Sequence, residues 1–116
     1  MSTPPPYLVF FSRDPVDDEL AEGIVTAVRS IAGARVWGCP APGWFDDPDA
    51  EPAERTCGGY VRVDDLASPD ATAVLEAARK LSAELEVVLE VQWRERPLGE
   101  LAAGAPRGAL GPLLDA

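Results

Sequence analysis

The stretch Tyr7-Leu8-Val9-Phe10-Phe11-Ser12 decides how the rest of the chain is interpreted. It is apolar, rich in aromatic and β-branched residues, and bounded by Pro6 and the Asp14-Pro15 pair, so it predicts a short β-strand. Because apolar residues occupy consecutive positions rather than alternate ones, we expect protein to cover both faces of this strand. Such a strand belongs in the middle of a sheet.

Two helices with similar starts are predicted further along the chain. The first begins at Asp14, with Pro15 in its first position, and ends at Gly33. Its apolar residues recur at helical spacing and form one stripe, made of Leu20, Ile24, Ala27, Val28 and Ile31. The second helix begins in the same way at Ser68 and Pro69, and its stripe consists of Ala71, Val74, Leu75, Ala78, Leu81 and Leu85.

Predicted strands at 34–38, 60–64 and 86–96 complete the order β-α-β-β-α-β. With right-handed crossovers, this order predicts an α+β fold of the ferredoxin-like, split β-α-β type. Its four-stranded antiparallel sheet would have the strand order 4-1-3-2 and carry two helices on one face. Because that fold hosts many functions, the function has to be argued from particular residues.

The length of 116 residues fits one domain. We predict a disordered leader over residues 1–6, a single α+β domain over 7–96, and a Gly/Ala/Pro-rich C-terminal tail over 97–116, with one helical turn around residues 98–101. The sheet face away from the helices is too apolar to be left bare. Either the tail or the same face of a second copy would cover it, so the chain is expected to be a monomer or a homodimer.

The absence of whole residue types excludes most catalytic chemistry. There is no histidine, which rules out Ser-His-Asp triads, imidazole bases and histidine metal ligands. Two cysteines are too few for a zinc site, and no glycine-rich phosphate loop occurs. The run 47–51 alternates acids as a calcium loop does, but Pro52 stands where an EF-hand needs glycine. We therefore expect no catalytic residues, no metal, no cofactor and a non-enzymatic function.

The net charge limits the partners that the chain can bind. Twenty acidic residues against ten basic ones give −10, which disfavours nucleic acid and anionic membranes. No apolar run is long enough to span a membrane, and no basic segment precedes the first apolar run, so a cytoplasmic location is predicted. One lysine against nine arginines is typical of a GC-rich genome and favours a bacterial source.

The predicted topology collects most of the acidic residues at one edge of the domain. Acidic residues at a helix start interact favourably with the helix dipole. This does not account for the 19-residue connection 39–57, which adds five more acidic residues. The edge is therefore predicted to bind a cationic partner. Twelve acids fall there, against Arg13 and Arg55: Asp14, Asp17, Asp18, Glu19, Glu22, Asp46, Asp47, Asp49, Glu51, Glu54, Glu84 and Glu86.

Trp44 and Phe45 lie inside this acidic connection. Large aromatic side chains surrounded by charge are typical of interface anchors. We expect one of the two rings to pack onto the domain and the other to be exposed. The predicted partner-binding residues are Asp17, Asp18, Trp44, Phe45, Asp46, Asp47, Asp49 and Glu51.

Cys39 and Cys57 bracket the same connection, in strands that are predicted to pair. A disulfide between them would close the connection. In a reducing compartment the two thiols would instead stay free. The sequence leaves both possibilities open.

Two functions of different classes fit these observations. The first is a small acidic binding protein that neutralises a basic partner protein, as an immunity protein or an antitoxin-like inhibitor does. The alternative is a ligand-binding or catalytic ferredoxin-like protein of the dimeric α+β-barrel type. Its pocket would lie between the sheet and the tail and would be lined by Tyr60, Arg62, Trp93 and Arg94.

Overall fold

The computed structural model describes residues 3–114 and confirms the α+β class. Three helices accompany one antiparallel sheet. The strands are β1 (Tyr7–Ser12), β2 (Gly43–Asp46), β3 (Cys57–Arg62), β4 (Val88–Trp93), β5 (Arg96–Ala102) and β6 (Ala105–Gly108). The helices are α1 (Asp18–Gly33), α2 (Pro69–Leu85) and α3 (Leu110–Leu114).

The sheet runs β2-β3-β1-β4-β5-β6 from edge to edge. Read from the other side, the first four strands of the chain lie in the order β4-β1-β3-β2, but the predicted order 4-1-3-2 took residues 34–38 as its second strand, and the observed β2 is a different segment. The predicted count of four strands is wrong, because β5 and β6 extend the sheet beyond β4. β1 lies in the interior of the sheet, between β3 and β4, as its apolar composition indicated.

The core lies between α1, α2 and one face of the sheet. From β1 it takes Leu8 and Phe10, which are fully buried. Gly59 of β3 leaves the space that the Phe10 ring occupies, since a Cβ there would lie 2.7 Å from Phe10 Cζ and 3.0 Å from Val28 Cγ1 of α1. The alternate residues of β1 are only partly buried or exposed. The prediction that β1 is covered on both faces is therefore wrong.

The segment predicted as a tail instead completes the sheet. β5 pairs with β4, and β6 pairs with β5 through a tight turn at residues 103–104. The helical turn predicted around residues 98–101 is a strand, and the tail does not cover the far face of the sheet. Leu101 and Leu110 are fully buried, so this segment contributes to the core. Residues 115–116 of the predicted tail lie outside the described residues.

A buried serine joins the added strands to α2. The Ser82 hydroxyl lies 2.9 Å from the carbonyl oxygen of Val87 and 3.0 Å from that of Leu101, and it accepts a 3.0 Å hydrogen bond from the backbone N–H of Gly104. Ser82 is fully buried. One hydroxyl therefore ties together the end of α2, the chain before β4, and the β5–β6 hairpin.

Several predicted elements and boundaries are corrected: the strand predicted over residues 60–64 is Cys57–Arg62, and the one predicted over 86–96 is Val88–Trp93. α1 is capped by Asp17 rather than Asp14, because the Asp17 carboxylate accepts a 2.8 Å hydrogen bond from Leu20 N–H. Residues 34–38 do not form a strand: the Arg35 guanidinium lies over the Trp37 ring, whose Nε1–H donates to the Ala32 carbonyl. β2 lies instead inside the connection 39–57, where no strand was predicted. The predicted start of α2 at Ser68 and Pro69 is confirmed.

The described part of the predicted leader is held on the domain. The Pro6 carbonyl accepts a 2.9 Å hydrogen bond from Val63 N–H, and the Pro4 carbonyl accepts a 3.0 Å bond from the Arg94 guanidinium. Pro6 itself is buried. Disorder over the whole of residues 1–6 is therefore wrong for residues 4–6, while residues 1–2 lie outside the described part.

No helix within residues 3–114 has both the length and the apolar character needed to cross a lipid bilayer.

Replacing Ser82 with alanine should lower the free energy of unfolding by about 1–3 kcal/mol, because the Gly104 N–H then loses its buried acceptor. Chemical denaturation measures the change. Ser30→Ala is the matched control, since the exposed Ser30 hydroxyl donates only to a carbonyl of its own helix. Equal effects of the two substitutions would contradict the role given to Ser82.

Candidate functional site

Arg55 organises the base of the acidic edge. Its Nε and Nη2 donate to the two carboxylate oxygens of Asp46 at 3.1 and 3.0 Å, and its Nη1 donates to Asp18 at 2.5 Å. The Arg55 carbonyl accepts a 3.0 Å hydrogen bond from Val16 N–H. The hydrogen bonds to Asp46 and Asp18 raise the pKa of Arg55 above its ordinary value. The end of β2, the chain before β3 and the start of α1 therefore meet at one guanidinium.

The remaining carboxylates of the connection face solvent. We call residues 46–54 the acidic segment. Within it, two turns are closed by backbone hydrogen bonds, from Ala50 N–H to Asp47 and from Glu54 N–H to Glu51. The side chains that carry its free charge are exposed, and none of them takes part in an ion pair found among residues 3–114: Asp47, Asp49, Glu51 and Glu54. This part of the segment has negative charge that the domain itself does not neutralise.

Some of the acids predicted at the edge line one groove between α1 and α2, and others make contacts within the domain. Glu19 and Glu22 of α1 share a groove with Glu84 from the last turn of α2. Among the predicted partner-binding residues, Asp17 caps α1, and Asp18 and Asp46 are paired with Arg55. These three have structural roles. Unpaired charge is left at Asp47, Asp49 and Glu51.

Trp44 and Phe45 point to opposite faces of β2, because successive side chains alternate along a strand. Trp44 is paired with Gly59 and its side chain is 47% exposed. Phe45 is paired with Gly58, is half-buried, and lines a hollow on the far side of the sheet. A large exposed ring on an edge strand, directly before the acidic segment, has the character of an anchor.

Neither thiol forms a disulfide, and neither is activated. Cys57 is fully buried, and burial raises its pKa to about 11, with a further contribution from the Asp46 carboxylate. Burial and the neighbouring Asp70 carboxylate raise the pKa of Cys39. Cys57 faces Asp46 across the sheet rather than Cys39, and of the two possibilities that the sequence left open the structure has free thiols. Among residues 3–114, no group of three or more acidic or cysteine side chains is placed to hold a metal ion.

The sheet face opposite the helices is open. We call it the open face; it carries Tyr7, Val9, Phe11, Tyr60, Arg62, Val88, Glu90 and Gln92. Since the tail joins the sheet, the predicted pocket between sheet and tail does not form. Trp93 and Arg94, predicted to line it, instead hold the chain around β4: the Trp93 Nε1–H donates to Val63, and the Arg94 guanidinium lies over the Trp93 ring.

A hollow of about 400 Å³ nevertheless lies on the open face. Apolar and aromatic side chains form most of its wall, and two polar ones complete it: Pro5, Tyr7, Val9, Phe45 and Tyr60, with Gln92 and Glu95. We call it the aromatic hollow. Sequence reasoning missed it because Phe45 was placed in a loop. Phe45 joins the wall only because the β2 register sets it opposite Gly58.

Comparison with models of known protein families finds no match for this chain. Comparisons with curated proteins and with solved structures find no significant match either.

Replacing Arg55 with glutamine should lower the melting temperature by several degrees, because Asp46 and Asp18 lose their counter-charge. Arg55→Lys should not restore it, since lysine cannot make the two-pronged contact with Asp46. The loss should be smaller in high salt, which screens the exposed Asp18. A lysine variant as stable as the wild type would contradict this account.

At pH 8 a thiol reagent should modify native Cys39→Ala, which retains only Cys57, far more slowly than the same chain in denaturant. Folding raises the pKa of Cys57 from about 9 to about 11, so the folded state holds the proton more tightly. The contribution of the protonated Cys57 thiol to the free energy of unfolding is therefore complete below pH 9 and is lost as the pH rises toward 11. Denaturation at pH 8 to 11, with Cys57→Ala as the comparison, measures that loss; an equal decline in both chains would contradict it.

Proposed function

We propose that this chain is a small, non-enzymatic binding protein that neutralises a basic partner protein through its acidic edge, in the manner of an immunity protein or antitoxin-like inhibitor. The contact surface is formed by Trp44 together with Asp47, Asp49, Glu51 and Glu54. This surface is held in place by the α1 cap at Asp17 and by the ion pairs of Arg55 with Asp18 and Asp46. One lysine against nine arginines favours a bacterial source, and the proposed location is the cytoplasm.

One observation carries the proposal: exposed and unpaired carboxylates follow, along the chain, a strand that bears an exposed aromatic ring, and the domain holds this segment in place. The turns within the acidic segment and the contact of Arg55 with Asp46 limit its freedom before a partner arrives. A preordered surface loses less entropy on binding. Its charge speeds encounter with a basic protein, and the exposed ring of Trp44 supplies the short-range contact.

The chemistry of the remaining side chains supports binding rather than catalysis. With no histidine in the chain, a nucleophile would need another activated group. The two thiols have raised pKa values, which favours the unreactive protonated form. Asp18 and Asp46 are held as ion-pair partners of Arg55.

We also infer that the part of the chain up to β4 has the ferredoxin-like arrangement. The order β4-β1-β3-β2 and the placement of α1 and α2 after β1 and β3 support this. The hairpin β5–β6 and α3 are then an extension at the β4 edge. The fold alone does not indicate the function.

The proposal is tested by neutralising the free carboxylates. In the triple variant Asp49→Asn, Glu51→Gln, Glu54→Gln, association with the partner captured from the source organism should slow at least tenfold at low salt, while dissociation changes less. The matched control Asp64→Asn, Asp65→Asn, Glu76→Gln removes the same charge from exposed positions elsewhere. Surface plasmon resonance at low and at high salt gives both rates.

The variant Trp44→Ala tests the contribution of the aromatic ring separately from that of the carboxylates. Loss of a central aromatic anchor should accelerate dissociation by a factor of about thirty or more and leave association nearly unchanged. Equal on-rates for the triple variant and its control would refute the acidic edge as the contact surface. Capture that survives both the triple variant and Trp44→Ala would place the partner elsewhere on the molecule.

A further inference from the structure

We propose that the aromatic hollow on the open face binds a small organic cation, specifically one with an alkylated ammonium group. This site lies on the opposite side of the sheet from the exposed ring of Trp44. It does not depend on the function proposed for the acidic edge.

The size and wall of the hollow fit a small molecule. Its volume of about 400 Å³ lies in the range of ligand pockets, which are mostly apolar with a few polar groups. The rings of Tyr7 and Tyr60 stand at 74° to each other, with centroids 6.1 Å apart, and form a corner. Phe45 adds a third ring to the wall. Three rings around one space are the arrangement that favours alkylated ammonium groups, because each ring face carries partial negative charge.

The backbone leaves room for this arrangement. The Tyr60 ring lies across Gly43 of β2, where a Cβ would come within 2.7 Å of Tyr60 Cζ. Any side chain at position 43 would push the ring away from β2. Gly43 therefore lets Tyr60 lie between Phe45 and Tyr7.

Glu95 supplies a negative charge at the same hollow. No hydrogen bond or ion pair to its carboxylate is found within residues 3–114. The neighbouring Arg94 is engaged elsewhere, with Pro4 and the Trp93 ring. A bound cation would provide the partner that the carboxylate lacks.

The backbone at Glu95 adds a second observation. Arg94 and Glu95 are the two central residues of the β4–β5 turn, and both have positive φ, at 53° and 63°. Such turns favour Asn-Gly, and other residues adopt this conformation at a cost. The side chain of Arg94 is used within the domain, whereas that of Glu95 is not. A residue with a strained backbone and an unpaired carboxylate at the rim of a hollow indicates a ligand-binding site.

The charges of the open face argue against a second copy as the occupant. Glu90 and Glu100 are directly paired across β4 and β5 on this face. Arg13 reaches only Glu100 of the two, at 3.5 Å. Packing two open faces together would remove this acidic pair from water, together with Arg62 and with Arg107 opposite Glu100, and burying so many charged groups costs desolvation free energy. A small cation needs only the end of the face that carries Tyr7, Tyr60 and Glu95.

The experiment compares choline with 3,3-dimethylbutan-1-ol, its uncharged isostere of the same shape. Each is titrated into the full chain, and backbone amide shifts in NMR spectra report both affinity and place. Choline should bind at least tenfold more tightly than the alcohol, with the largest shifts at Tyr7, Tyr60 and Glu95. Glu95→Gln should remove most of that preference, and Tyr60→Leu should weaken choline binding at least fivefold.

Glu76→Gln is the matched control, because it removes one exposed carboxylate from α2 and should leave choline binding unchanged. Melting curves confirm that each variant is folded. Equal affinity for the two probes would show a merely apolar hollow and overturn the proposal. So would choline shifts confined to the acidic segment, no shifts with 10 mM choline, or a dimer in sedimentation that buries Tyr60. Loss of binding at the acidic edge would leave this result unaffected.

Discussion

The two-pronged contact between Arg55 and Asp46 is the constraint on which the acidic edge depends. It joins the last residue of β2 to the chain that leads into β3, so the connection between these strands is closed at its base. The third contact, to Asp18, attaches the same point to the first turn of α1. A single cation thus holds together a region that would otherwise be driven apart by its own charge. The exposed carboxylates beyond it can stay unpaired because the fold does not need them.

Some of this architecture follows directly from the sequence, and some cannot. The apolar run of β1 and the Ser68-Pro69 start of α2 act locally, so both were predictable. β2 was misplaced because prolines on either side of Trp44 and Phe45 conceal a four-residue strand that exists only through its pairing with β3. Residues 97–114 look like a tail by composition, yet β4 offers a free edge that those residues fill. At the candidate site, the exposed carboxylates were foreseen, whereas Arg55 as their organiser and the hollow beside Phe45 required the register.

β2 connects two surfaces of different chemistry. Trp44 and Phe45 are adjacent, but the alternation of the strand sends one ring beside the helices and the other to the open face. A single four-residue strand thus contributes to both the acidic edge and the aromatic hollow. A change in the register of β2 by one residue would exchange the two rings and damage both surfaces together.

The two outer strands also decide how the chain behaves among its own copies. Unpaired strand edges invite intermolecular pairing and aggregation, and proteins resist this with short edges, charge and proline. β6 is four residues long and contains Pro106, which hinders intermolecular pairing at every pH. β2 is equally short, but charge protects it, from Asp46 onward. Near the isoelectric point of about 4.3, the net charge that keeps copies of the chain apart falls to zero while the proline persists, so acid-induced aggregation of this chain is expected to begin at β2.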